Sequence, residues 1–332
     1  MTSRRTSNVA PAAVDGRTAS GGRARSTDGL LFGCIGVVGF GGTAPATRAA
    51  APAFGPVTLT FARIVIAAML GLITLWLTNR GRWHWPGRGH ACGLLAMGIG
   101  LAVGFALFLA LGVERVPASH ASIDIALVPA ATAVLATARS GERQSRWFWL
   151  ASTIGLIAVA TFALTRGGAA VRTADLWLAA AVVSCAVGYV EGARVARFIG
   201  AVPALCAAMI LLLPAAAPLL IIGFITHPAG VAPASAWAGL AYAGSISMFA
   251  ASLAWYRGLA IGGTPRIGQL NLAQPFLSVV WAALLLGEHI PWAVPATAAI
   301  VLGCMTICIR SQPTSTRRSL DASEPAAPVR SD

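Results

Sequence analysis

Lysine is absent from this chain of 332 residues, and all 24 basic residues are arginine. In a chain so rich in alanine this looks like coding bias, so the choice of Arg over Lys carries no mechanistic weight. Charge of either sign is scarce at 11% of residues, against about a quarter in an ordinary water-soluble domain. Few charges leave little material for a water-facing surface, which excludes a soluble globular protein of this length. Several chemical motifs are missing too. No GxxxxGK[ST] phosphate cradle is present, which argues against a nucleotide-driven pump. No HExxH, aspartate-rich metal motif or nucleophile elbow appears. The six cysteines (Cys34, Cys92, Cys185, Cys206, Cys304 and Cys308) lie in apolar runs without metal-ligand spacing. They read as small packing residues, with no disulfide framework, no metal site and no cofactor expected.

What is present is hydrophobicity: 57% of residues are apolar and the mean hydropathy is +0.74. The net charge of +13 does not imply a nucleic-acid partner, because the arginines sit in the tails and short loops and form no basic face. Residues 1–28 are rich in Ser, Arg, Gly and Thr and read as a disordered cytoplasmic tail; residues 311–332 read likewise. Arg4-Arg5 resembles a twin-arginine signal, but the apolar run that follows is distant and leads to no soluble domain.

Between the tails, apolar runs succeed one another with short breaks. A helix needs about 20 residues to cross roughly 30 Å of hydrocarbon. On that measure the spans are 29–47, 57–78, 91–112, 117–137, 146–165, 174–193, 202–225, 234–256, 264–286 and 291–310. With the N-terminus inside, inner loops and their edges receive Arg80, Arg82, Arg88, Arg139, Arg143, Arg146, Arg194, Arg197, Arg257 and Arg266. Outer loops receive Arg48, Arg115, Arg166 and Arg172. The bias predicts a multi-pass protein of the inner (plasma) membrane with both termini cytoplasmic.

An internal repeat organises these spans. Pro129 is followed thirteen residues later by Glu142, and Pro275 thirteen residues later by Glu288. A shift of 146 residues superposes both pairs and also lays Gly112 on Gly258. The chain therefore reads as two five-helix halves, 29–165 and 174–310. Five is odd, so the second half enters the membrane upside down. Inverted repeats of this kind build secondary carriers, with the substrate site near the midplane between the halves. The expected fold is an all-α integral membrane protein: ten transmembrane helices as two inverted five-helix repeats around a central cavity.

The segments from Ala118-Ser119-His120-Ala121 to Gly141-Glu142 and from Thr264-Pro265 to Gly287-Glu288 resemble the two copies of the EamA domain. That domain is the repeat of the drug/metabolite transporter superfamily. Arg63, within Pro56–Leu70, resembles the arginine this family tends to carry in its second helix. The resemblance spans roughly residues 29–310. It implies ten helices, a central cavity, and export or exchange of metabolites, often amino acids or drug-like molecules. Asp124 departs from it, being an acid where the family usually has an apolar or small residue.

Three charges fall inside the spans, where each costs on the order of 3 kcal/mol unless it is paired or hydrated. Arg63 and Asp124 each lie about 10 Å below the outer boundary at 1.5 Å per residue. They read either as a substrate-binding pair or as a structural ion pair. His120 stands one turn before Asp124, as a further substrate contact, a proton relay or a hydrogen-bonded interfacial residue. Glu191, with Arg194 at i+3, reads either as a local salt bridge or, like Asp124, as a proton-coupling carboxylate. Asn271, Gln274 and Ser278 form a polar stripe on one span, suited to hydrogen-bonding a substrate or a neighbouring helix. Pro275 strengthens the cavity reading by freeing a backbone carbonyl. Gly141, Glu142, Gly287 and Glu288 read as architectural helix ends. Gly100 and Gly104 read as packing residues, and Trp255 and Tyr256 as an interfacial aromatic belt, with cavity lining as the alternative.

These features favour a secondary transporter of small metabolites over a membrane-embedded enzyme acting on a lipid or isoprenoid. They also favour it over a scaffold, which needs no buried acids. The expected partners are a small-molecule substrate and the lipid bilayer; a monomer suffices and a dimer is compatible.

Overall fold

The computed structural model describes residues 17–79, 86–116, 127–140, 145–151, 173–226 and 232–286, with isolated positions between 121 and 161 and between 299 and 307. In chain order its principal helices are α1 (Arg17–Gly41), α2 (Thr43–Asn79), α3 (Ala91–Val113), α4 (Val128–Ser140), α5 (Thr173–Ile199), α6 (Ala201–Thr226) and α7 (Ala234–Gly262). They are followed by α8 (Thr264–Gly268), a 3₁₀ turn (Gln269–Ala273) and α9 (Gln274–Leu286).

Among the described residues, five helical stretches are long and apolar enough to cross a membrane: Thr27–Thr78, Ala91–Val113, Thr173–Ile199, Ala201–Thr226 and Ala234–Gly262. The first has 52 residues, more than twice the length one crossing needs. It is interrupted at Gly55, whose φ of 71° and ψ of 158° leave the helical region at a conformation open to glycine. Pro56 follows at once and starts the next helical run.

The first apolar segment runs further than the expected 29–47. α1 ends at Gly41, the chain turns at Gly42, and helix resumes to the kink at Gly55. Arg48 looks like a loop residue in the sequence. Here its guanidinium donates to the Val113 and Val116 carbonyls at the end of α3, so the helix continues through it. The helix also begins at Arg17, inside the segment expected to be a tail; once a span is nucleated, each further turn needs only to propagate.

Outward-facing apolar side chains cover the helices: Leu72, Ile73, Trp76 and Leu77 on α2, and Ile221, Ile222 and Ile225 on α6 are all exposed. Such a surface fits hydrocarbon, not water. Cys34 and Cys92 are on it, whereas Cys185, Cys206 and Cys304 are buried, so only the latter fit the reading as packing residues.

Inside, the packing repeats. A shift of 146 residues carries α1 onto α5, α2 onto α6 and α3 onto α7. α1 packs on α7, its counterpart α5 packs on α3, and α2 lies along α6. Both crossings are glycine-lined. A Cβ at Gly258 would stand 2.8 Å from the Gly33 nitrogen, and one at Gly100 would stand 2.7 Å from the Ser184 carbonyl oxygen. Backbones this close admit no side chain, so Gly100 is the packing residue the sequence suggests. A π-helical stretch interrupts α3 at Ile99–Phe105 and α7 at Tyr242–Ala251. The shift places the first inside the second.

Candidate functional site

A small cavity of ≈ 20 Å³ lies among α1, α2, α3, α5, α7 and α9. Its walls are Phe40, Thr43, Arg63, Leu101 and Phe105 from the first half of the chain, and Tyr189, Ser247, Met248, Ser252 and Gln274 from the second. Leu101 and Ser247 fall near the middle of their membrane-length helical stretches, so the cavity reaches mid-helix depth there.

Helix irregularities shape this space. α1 stops at Gly41, beside the lining residues Phe40 and Thr43. The π-helical stretches supply Leu101, Phe105, Ser247 and Met248. Ahead of Gln274 the chain tightens into the 3₁₀ turn Gln269–Ala273. Pro275 has no N–H for the Asn271 carbonyl, so one rung of a regular α-helix is missing at this point. Irregular backbone at membrane depth is tolerated where protein or a cavity surrounds it.

The orphaned carbonyls at the end of α1 are met by side chains from α7 and α9. Trp281 Nε1 donates to Val38 at 3.2 Å, and the Tyr242 hydroxyl to Gly39 at 2.9 Å. Gln274 Nε2 reaches Phe40 at 3.5 Å, and Ser278 Oγ donates to Gly41 at 2.7 Å. These are the last four carbonyls of the helix, the set that has no partner within a helix.

Arg63 is the charged residue of the described lining. It is 2% exposed, and its Nε and Nη1 have no hydrogen-bond partner among the described residues. Asp124 and His120, expected near it, lie outside the described residues. The remaining polar walls are largely satisfied. Thr43 Oγ1 and Ser247 Oγ are 2.7 Å apart, and Ser252 Oγ donates to the Ser247 carbonyl at 3.1 Å.

The expected polar stripe divides by position. Gln274 lines the cavity. Ser278 is buried against Gly41. Asn271, 2% exposed, faces the Tyr189 hydroxyl, and its Oδ1 has no partner among the described residues. Glu191 makes two ion pairs, with Arg139 of α4 at 2.8 Å and with Arg194 at 3.6 Å. The i+3 bridge is therefore present, but the shorter contact is between helices. Gly141, Glu142, Gly287 and Glu288 lie outside the described residues.

One reading is corrected. Trp255 and Tyr256 are not an interfacial belt: both are fully buried. α7 continues to Gly262, so the residues that seemed to close the span lie within it. Trp255 packs on Phe40 and Tyr189, with ring centroids 5.8 and 5.3 Å apart, and the Tyr256 hydroxyl donates to the Gly188 carbonyl at 2.9 Å. Phe40, Phe105 and Tyr189 themselves escape the sequence reading, since aromatic residues in an apolar span look alike whether they face lipid, core or cavity.

Comparison with known proteins agrees with this architecture. An uncharacterized transporter of Bacillus subtilis, YdeK, is 37% identical over 288 residues, covering 86% of this chain and 98% of its own. A protein of Streptantibioticus cattleyicolor named "Probable terminal-alkyne amino-acid exporter" is 29% identical over 279 residues, covering 82% and 88%. A chain of known crystal structure shares the fold, with a TM-score of 0.68 at 21% identity over 86% of this chain and 98% of that one. The EamA-like transporter family matches twice in tandem, at residues 27–164 and 172–309. With two family repeats, a multi-pass apolar body and a cavity walled by both repeats, this chain belongs to the EamA-like transporter family.

Proposed function

We propose that this protein is a secondary transporter that exports or exchanges small metabolites through the cavity between its two family repeats, and is not an enzyme. The observation that carries this reading is the composition of the cavity walls. Five lining residues come from the segment 27–164 and five from 172–309. A site walled equally by two halves, at mid-helix depth, is the arrangement that rocking of one half against the other exposes alternately to each side.

The repeated packing supports an inverted pair of five-helix halves. α1 on α7 and α5 on α3 are one contact seen twice, and α2 against α6 is its own counterpart. A two-fold relation between halves produces this pattern. An odd number of spans per half then turns the second half over, giving ten helices. The arginine distribution supports a plasma-membrane protein with both termini on the cytoplasmic side. The described lining residues all come from one chain, which supports a functional monomer.

The relative from Streptantibioticus cattleyicolor is named for amino-acid export. Amino acids are therefore the first compounds to test, with amines and dyes beside them. The experiment is flux into liposomes containing the purified full chain, at several proton gradients. Saturable flux of one class, competed by unlabelled compound, supports the reading. Absence of flux across the whole panel removes it.

A further inference from the structure

We infer that the substrate is a small carboxylate with an apolar or aromatic body, held carboxylate-first by Arg63. This rests on the reading of the cavity as the transport site and names what that site selects.

The argument begins with Arg63. A guanidinium in the hydrophobic interior is costly to insert, and such residues normally pair with one another or with backbone carbonyls. Here Nε and Nη1 have neither kind of partner among the described residues, and the side chain lines an open cavity. The described lining holds no aspartate, glutamate or histidine. No described residue of the lining supplies an anion for Arg63, so that anion is assigned to the ligand. A planar fork of N–H donors matches a carboxylate through two parallel hydrogen bonds, which a point charge does not do.

The other walls say what the carboxylate is attached to. Thr43 and Ser247 are bonded to each other, and Ser252 to the Ser247 carbonyl, so these hydroxyls make little further polar demand. Gln274 reaches the Phe40 carbonyl. What remains is Phe40, Leu101, Phe105, Tyr189 and Met248, an apolar and aromatic surface. Phe40 and Tyr189 stack with centroids 6.2 Å apart, and Trp255 closes the cluster behind both. The cavity is small, ≈ 20 Å³ in this conformation, which favours a slight ligand body. No described wall residue supplies an anion for an amine. The carboxylate is thus the selected group and an α-amino group is tolerated.

The test is equilibrium binding to the purified full chain in detergent, by calorimetry, with matched probes. These are 3-phenylpropionate, its methyl ester, 3-phenylpropylamine and phenylalanine. The acid is expected to bind on the order of a hundredfold more tightly than ester or amine, because two charge-assisted hydrogen bonds are lost. Phenylalanine is expected to fall closer to the acid than the amine does. Arg63→Lys should keep part of this preference. Arg63→Gln should remove the preference for acid over ester, a change of selectivity that a misfolded variant does not give. Amine or ester binding as tightly as the acid in the unaltered protein overturns the inference, and so does unchanged acid affinity in Arg63→Gln. Liposome flux separates this from the parent reading. Flux of amines without acids removes the carboxylate selection and leaves the transporter, whereas acid binding with no flux of any compound leaves the site and removes transport.

Discussion

Ser278 Oγ donates to the Gly41 carbonyl at 2.7 Å, so a side chain of the second family repeat closes the last carbonyl of a helix in the first. Ser278 does not line the cavity, although Gln274, one turn earlier, does. The polar stripe therefore serves two purposes within four residues. Removing the Ser278 hydroxyl leaves a buried acceptor unmet, which costs roughly 1–3 kcal/mol. Ser278→Ala is expected to lower the thermal unfolding temperature in detergent while leaving carboxylate affinity within about threefold, since 1.4 kcal/mol is tenfold. Weakened affinity at unchanged stability would instead place the hydroxyl on the substrate.

The pairing of Arg63 with Asp124 remains a direct alternative to substrate binding, and exchanging the charges separates them. If Arg63 is there for a ligand carboxylate, Arg63→Asp with Asp124→Arg places an acid where the ligand's own acid must go. That double variant is expected to show no carboxylate flux in liposomes. Transport restored to the unaltered level would make the two residues a structural pair and remove Arg63 from the binding site.

How far the sequence carried this reading depends on contrast. Asn271, Gln274 and Ser278 stand out because amides and hydroxyls are scarce in an apolar run, and Arg63 because a charge there is costly. Pro275 marked the irregular backbone beside them for the same reason: its missing N–H is legible in any context. The 146-residue offset was visible in Pro129, Glu142, Pro275 and Glu288, residues that punctuate helices. Phe40, Phe105 and Tyr189 had no such contrast, since ring burial depends on which neighbour is opposite. Trp255 was misread because its position relative to the helix end was misjudged by a turn and a half or more. The break after Gly41 is harder still. Gly39, Gly41 and Gly42 form a glycine-rich stretch, but only the donors Trp281, Tyr242, Gln274 and Ser278, more than 200 residues away, make it a stable end.

Glu191 holds Arg139 at 2.8 Å and Arg194 at 3.6 Å, with the carboxylate side chain 13% exposed and both arginines more than half exposed. Surface pairs of this kind contribute about 1 kcal/mol or less. Their position ties α4 to α5, outside the cavity lining. The expected outcome for Glu191→Gln is a small loss of stability and a liposome flux whose dependence on pH is unaltered. Loss of that dependence, with flux otherwise intact, would make Glu191 the proton-coupling group instead.

Gly258 and Gly33 meet so closely that a Cβ on Gly258 would lie 2.8 Å from the Gly33 nitrogen and 3.0 Å from the Gly29 carbonyl oxygen. Backbone atoms cannot step aside as a flexible side chain can, so any added carbon must separate α1 from α7. The equivalent crossing has Gly188, whose Cβ would lie 2.8 Å from the Leu101 nitrogen. Because α1 and α3 both wall the cavity, separation at either crossing also widens the binding site. Gly258→Ala and Gly188→Ala are each expected to cost about 1–3 kcal/mol, the range for overpacking. Each should also weaken carboxylate binding although neither residue touches the cavity. Gly303→Ala serves as the control, since a Cβ there meets nothing within 4 Å. Melting temperature and calorimetric affinity, measured together on the three variants, check both parts: equal stability in all three would mean that the crossings yield more readily than backbone contact allows.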